Sequence, residues 1–139
     1  MDVSASTEAE TLRDVLEAFA DAWRAGDIDR LMTFMTGDCE FRASVGSEPG
    51  TTFEGQSDVR EGFKLSLAHD EGADVRIETV LVVNDTTVVQ WAYIYPGVDS
   101  EVRGCDVFTF NGQRIRVKDS YRKAQADITR HALKQDGVR

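Results

Sequence analysis

The chain has 139 residues, 41% hydrophobic and 29% charged, with eleven glycines and two prolines, the mixture of one folded domain and not of a disordered or fibrous polypeptide. Its formal charge of -9 excludes a nucleic-acid binder that works by neutralising phosphates, because counterion release requires clustered Lys and Arg. A chain of this length buries roughly two thirds of its unfolded surface, enough for a core with one internal pocket but not for a second catalytic domain.

The charge is uneven. Residues 1–40 hold ten acids and three bases, residues 41–110 twelve and five, and residues 111–139 three and eight, so the acid excess hides a basic C-terminal segment. The opening MDVSASTEAE is acidic and polar, unlike a secretory signal, and no apolar run is long enough to cross a bilayer. The expectation is a cytoplasmic protein with neither membrane nor nucleic acid as partner. Cys39 and Cys105 lack metal-ligand spacing and read as two small buried hydrophobes or, alternatively, as a disulfide. His69 and His131 stand isolated from acids at ligand spacing, and no metal or cofactor is expected.

Leu12, Val15, Leu16, Phe19 and Trp23 recur at helical spacing behind a capping box of Thr7 and Glu10, which predicts a first helix over about 8–25, ended by Gly26. Asp27 is a fit N-cap for a short second helix carrying Ile28, Leu31, Met32 and Met35, closed by Gly37. Cys39 to Ser44 reads as a short strand and Gly46 to Gly55 as loop. Ser57 then caps a third helix with Val59, Phe63 and Leu67 that ends at Gly72. From Val75 the period drops to 2, with Val75, Ile77, Thr79, Leu81 and Val83 alternating against Arg76 and Glu78. Three more strands follow, Val88 to Tyr95, Val102 to Phe110 and Arg114 to Tyr121, the last two joined at Asn111-Gly112, the strongest hairpin signal in the chain. Residues 124–135 read as a last short helix or a frayed tail.

Helices followed by long antiparallel strands describe an α+β domain, a cone-shaped curved sheet of five to six strands with three N-terminal helices on its concave side. One domain spans 1–139, with a core over about 8–123 and a tail from 124. The inside of such a cone is a natural apolar pocket with a few polar groups.

The run AWRAGDIDRLMTFMTGDCEF, the segment FEGQSDVREGF and the strand pair GCDVFTFNGQRIRVKDSY resemble the nuclear transport factor 2-like superfamily, and within it the SnoaL-like polyketide cyclase and ketosteroid isomerase groups. The resemblance covers roughly residues 8–123. It implies a homodimer formed through the outer face of the sheet. It also implies a ligand that is a small hydrophobic molecule, neutral or anionic. The activity it implies is either acid/base catalysis without a cofactor, on a carbonyl or polyketide-like compound, or a non-catalytic binding or structural role. The isomerases share the VGSEP segment at Val45–Pro49, but the position of their base is Ala43 here. Of their pocket groups, the helix-one Tyr falls on Phe19, a second Tyr on Phe63, and the oxyanion-holding Asp on Asp106. The cyclases and epoxide hydrolases place an acid on the last strand where this chain has Ser120, with Asp119 one residue short and so on the opposite face. The hydrolases' Arg and Asp stand two apart on an earlier strand, whereas Arg103 and Asp106 are three apart.

Asp106 is the candidate catalytic residue. Its neighbours at i+2 and i+4 are Phe108 and Phe110, so alternation places a carboxyl among rings, where it can act as acid or base near neutrality. The alternative is a structural carboxylate held by Arg42 or a backbone amide. Trp91 and Tyr93 share a strand face with Val89 and Tyr95, a stripe that serves as core, subunit interface or ligand wall. Phe19, Trp23, Phe63 and Phe108 are the other candidate walls. Arg114, Arg116, Lys118, Ser120 and Arg122 share one face of the last strand, solvated by default. If the family geometry holds, the Ser120 side turns to the pocket and Arg122 or Lys118 meets an anionic ligand.

Overall fold

A computed structural model describes residues 3–47 and 50–124, with side chains from Glu8 onward. Among these residues it contains three helices and six strands, α1 (Val3–Ala25), α2 (Ile28–Thr33), β1 (Met35–Arg42), β2 (Thr52–Glu54), α3 (Gln56–His69), β3 (Asp74–Val83), β4 (Thr86–Ile94), β5 (Glu101–Asn111) and β6 (Arg114–Arg122). The strands form one open mixed sheet in the order β2-β1-β6-β5-β4-β3. Only β1 and β6 run parallel, and the remaining neighbours are antiparallel. The α+β cone expected from the sequence is the observed architecture. The expected tail helix, and His131 with it, lie outside the described residues.

α1 buries Leu12, Leu16, Phe19, Ala22 and Trp23, the 3–4 spacing of a helix that lays one stripe on a sheet. It starts earlier than the sequence suggests, so Thr7 and Glu10 lie inside the helix and not at its cap. Arg13 and Arg24 reach from its flank to the main-chain carbonyls of Val80 and Val75 on β3, at 3.1 and 3.2 Å. Asp27 caps α2 as expected, accepting from the Arg30 N–H at 3.1 Å. α2 stops at Thr33, however, and Met35 and Gly37 belong to β1. The stretch assigned to loop holds the short β2. The third helix begins at Gln56 without a side-chain cap; Asp58 takes the Glu54 N–H and Gln56 donates to the Met35 and Thr36 carbonyls, fastening α3 to β1. Gly62 faces Phe53 of β2 so closely that a Cβ there would stand 2.6 Å from the ring.

Two irregularities shift the phase of strands that the sequence reads as strictly alternating. On β3 the register slips between Ile77 and Thr79, so Val80 and Val82 turn inward while Leu81 and Val83 are 58% and 67% exposed. That corrects their assignment to the buried face. On β6 the register slips between Ile115 and Val117, because Thr109 pairs with Val117 and Phe110 with Ile115. Arg116 is the extra residue of a β-bulge, and its Nε donates outward to Asp38 of β1 at 3.1 Å. Hydrogen bonding from Thr36, and then the charge of Arg116, hold the Asp38 carboxyl below the usual carboxylate range.

The close approach at Gly62 yields a prediction. Alanine in a helix interior normally gains about 1 kcal/mol over glycine, but overpacking against an aromatic ring costs about 1–3 kcal/mol. Gly62→Ala therefore loses about 1 kcal/mol net, read as a lowered urea midpoint.

Candidate active site

The concave side of the sheet and the inner faces of α1 and α3 enclose a cavity of about 430 Å³. That is within the range of small-molecule sites. Phe19, Trp23, Trp91, Tyr93, Phe108, Ser120, Arg122 and Asp106 all line it. Phe63 does not. It is fully buried behind the wall, with ring centroids 6.0 Å from Phe19, 5.4 Å from Trp23 and 4.9 Å from Phe41. Its role is to hold those rings in place. Exposed residues Glu17, Asp21 and Arg24 of α1 mark the mouth.

The bulge at Arg116 decides the polar end. Beyond it, Lys118, Ser120 and Arg122 face inward and Asp119 faces out, toward Arg42 at 3.4 Å and the Tyr121 hydroxyl at 3.1 Å. Lys118 is thus removed from the solvated face to which a plain period of 2 assigns it. It is 5% exposed, and its Nζ lies 3.2 Å from Asp106 Oδ2 and donates to Ser120 Oγ at 2.9 Å. Three rings surround the ammonium, Trp23, Phe41 and Phe108, with centroids at 4.6, 4.9 and 5.9 Å. Asp106 is 8% exposed, among Phe108 and Phe110 as expected. Its partner is Lys118, not Arg42, which pairs with Glu40 and Asp119. Asp106 Oδ1 is buried without a hydrogen-bond partner among the described residues.

A second polar group lies two residues along β6 from Ser120. Arg122 grips both oxygens of Asp70, at 2.6 and 3.3 Å, and the Tyr95 hydroxyl donates to the same carboxylate at 2.6 Å. Its guanidinium lies over Trp91 and Tyr93, 5.7 and 5.4 Å from their centroids. Burial opposes the charge on Arg122, but the hydrogen bonds and charge of Asp70 exceed that cost and raise its pKa. Trp91 lies against Gly104 of β5, where a Cβ would come within 2.6 Å of its ring. Sequence reasoning missed Asp70 altogether, since a lone acid at a helix end carries no mark of an inward aim.

Trp23 Nε1 donates to the Tyr93 hydroxyl at 3.1 Å, so the indole and phenol meet over the cavity. The position of the isomerase base, Ala43, is buried and offers only a methyl; Ser44 and Val45 beside it line the cavity. Cys39 and Cys105 are free thiols, and burial pushes both up, away from thiolate. His69 ends α3, and among the described residues no three His, Cys, Asp or Glu side chains cluster as a metal site. No helix among them is long and apolar enough to cross a membrane.

Burial, and after it the charge of Asp70, push the Tyr93 hydroxyl far above the ordinary phenol value. A group whose pKa is raised by folding stabilises fully below its unfolded value, about 10, and loses that contribution as pH rises beyond it. Stability is therefore expected to fall above about pH 10. Tyr93→Phe reduces this alkaline loss while giving up the Trp23 hydrogen bond, about 1 kcal/mol; urea titrations on both sides of that pH measure both effects.

The model of the SnoaL-like domain family matches residues 16–117. No curated protein matches the sequence. Among solved structures, an NTF2-like protein of unknown function from Mesorhizobium loti is similar with a TM-score of 0.72 and 20% identity, over 84% of this chain and 94% of the other. A SnoaL-like protein of unknown function from Burkholderia thailandensis gives 0.69 and 14%, over 83% and 97%. A ketosteroid isomerase candidate from Kribbella flavida gives 0.69 and 9%, over 85% and 82%. At these identities the likeness is one of fold. With the family model spanning most of the cone, the chain belongs to the SnoaL-like domain family.

Proposed function

We propose that this SnoaL-like domain binds a small apolar carbonyl compound in its cone, with Asp106 moving a proton on the ligand. The observation that carries the reading is the Oδ1 of Asp106, without a partner among the described residues, at the wall of a cavity of about 430 Å³. A buried carboxylate oxygen left unpaired costs about 1–3 kcal/mol or more, and its natural partner is a ligand atom in the cavity. Lys118 holds the other oxygen and keeps a cation beside the site, suited to a carbonyl oxygen that gains negative charge when the adjacent carbon loses its proton. Trp23, Trp91, Tyr93 and Phe108 supply the apolar contact, and the chemistry uses side chains alone. Arg122 adds a cation that suits an anionic ligand group. A fold likeness to an isomerase candidate agrees with this class without specifying it.

A second reading, a pocket that binds without turnover, is favoured by the hydrocarbon at Ala43, Phe19 and Phe63, where the isomerases carry polar groups. Exchange of the α-hydrogens of 2-tetralone in D2O, followed by NMR, separates the two. The expected result is exchange above the buffer rate that falls by about 10²-fold in Asp106→Asn. Binding of 2-tetralone with exchange at the buffer rate would leave only the second reading.

For assembly, we propose a homodimer through the outer face of the sheet. There Leu81, Val88 and Val107 form a cross-strand apolar row on β3, β4 and β5. Leu81→Glu is expected to convert the dimer to a monomer by light scattering, and a monomeric parent protein would refute the interface.

A further inference from the structure

Lys118 is an uneconomical wall residue. Its side chain is 6% exposed, its ammonium is ringed by Trp23, Phe41 and Phe108, and its polar contacts are Asp106 and Ser120. Replacing a buried ion pair by apolar residues of similar volume is often neutral or stabilising, so fold stability gives little reason to keep this one. What the arrangement does supply is an amine in a dry aromatic enclosure, facing a cavity, with a proton acceptor at 3.2 Å. A desolvated lysine beside a proton acceptor is how an amine becomes a nucleophile toward carbonyl carbon.

We infer that Lys118 bonds covalently to an aldehyde or ketone ligand as an imine, with Asp106 carrying the protons. This rests on the preceding reading that the cavity admits an apolar carbonyl compound. In the first step Asp106 Oδ2 accepts a proton from the Lys118 ammonium, and the freed Nζ lone pair forms the N–C bond as the carbonyl π pair moves to oxygen. The carboxyl returns its proton to that oxygen, and takes up the second proton from nitrogen, giving a neutral carbinolamine. It then protonates the hydroxyl, which leaves as water while the nitrogen lone pair forms C=N. Ammonium and carbonyl are converted to a protonated imine and water, with Asp106 again a carboxylate beside the cation and no oxidant or reductant consumed. Ser120 Oγ, on the same strand face, orients Nζ throughout.

The chain has four lysines, which makes the test specific. Lys64 is half exposed and paired with Glu61, Lys123 is exposed at the end of β6, and both serve as internal controls. The full chain is incubated with 2-naphthaldehyde and sodium cyanoborohydride at neutral pH, and the reduced adduct is located by intact mass and peptide mapping. Occupancy of the cavity is followed separately by quenching of Trp23 and Trp91, which both line it. The expected result is a single naphthylmethyl group on Lys118. It is lost in Lys118→Arg, which retains a cation opposite Asp106 and whose fold is checked by circular dichroism. In Asp106→Asn, trapping slows by about 10²-fold. Quenching without an adduct on Lys118, or adducts spread over Lys64, Lys123 and the amino terminus by exposure, would overturn the covalent step while leaving the binding reading intact. Absence of quenching would overturn both.

Discussion

Most of what distinguishes this cone depends on two opposite charges placed where water is nearly excluded. Lys118 and Asp106 face each other across β5 and β6, and each would be untenable there without the other, since an isolated ion in an apolar interior costs several kcal/mol or more. The bulge at Arg116 sets the phase of β6 that brings Lys118 inward and gives Asp106 a counter-charge. The ammonium is also a packing centre. Trp23 from α1, Phe41 from β1 and Phe108 from β5 converge on one ammonium, so three elements are tied to a common point.

The same strand repeats this logic two turns of the pleat further on. Arg122 is matched by Asp70, an acid delivered from the end of α3 and braced by Tyr95 from the end of β4. Each inward cation of β6 thus meets an acid from a different element, and the cavity between them carries two polar clusters joined by an aromatic wall. The difference lies in saturation. Asp70 has both oxygens engaged and acts as a clasp, whereas Asp106 keeps one oxygen without a partner among the described residues.

Much of this was legible in the sequence, and what was not has a physical cause. The helix-one stripe, the Asp27 cap, the succession of the last four strands along the chain and the burial of Asp106 among Phe108 and Phe110 all follow from periodicity and turn residues. The three residues of β2 are too few to show a period. The slips on β3 and β6 carry no Gly or Pro to announce them, which is why Leu81 and Val83 read as buried and Lys118 as solvated. One signal did exist. Counting from Asn111 opposite Arg114, an unbroken hairpin would set Asp106 directly across from Asp119, two like charges on neighbouring strands. The extra residue at Arg116 replaces that clash with Ser120 and moves Asp119 to Arg42. Asp70 gave no such sign, because its partner is 52 residues away.

The two arginines that run from α1 to β3 have a consequence beyond attaching a helix. β3 is the last strand of an open sheet, and an edge strand offers a template for a strand from another chain. Arg13 and Arg24 occupy the carbonyls of Val80 and Val75 with side chains that cannot propagate a ladder. At the opposite margin, β2 is too short to recruit a partner. Both margins of the sheet are thereby blunted against strand-by-strand growth, although it never closes into a barrel.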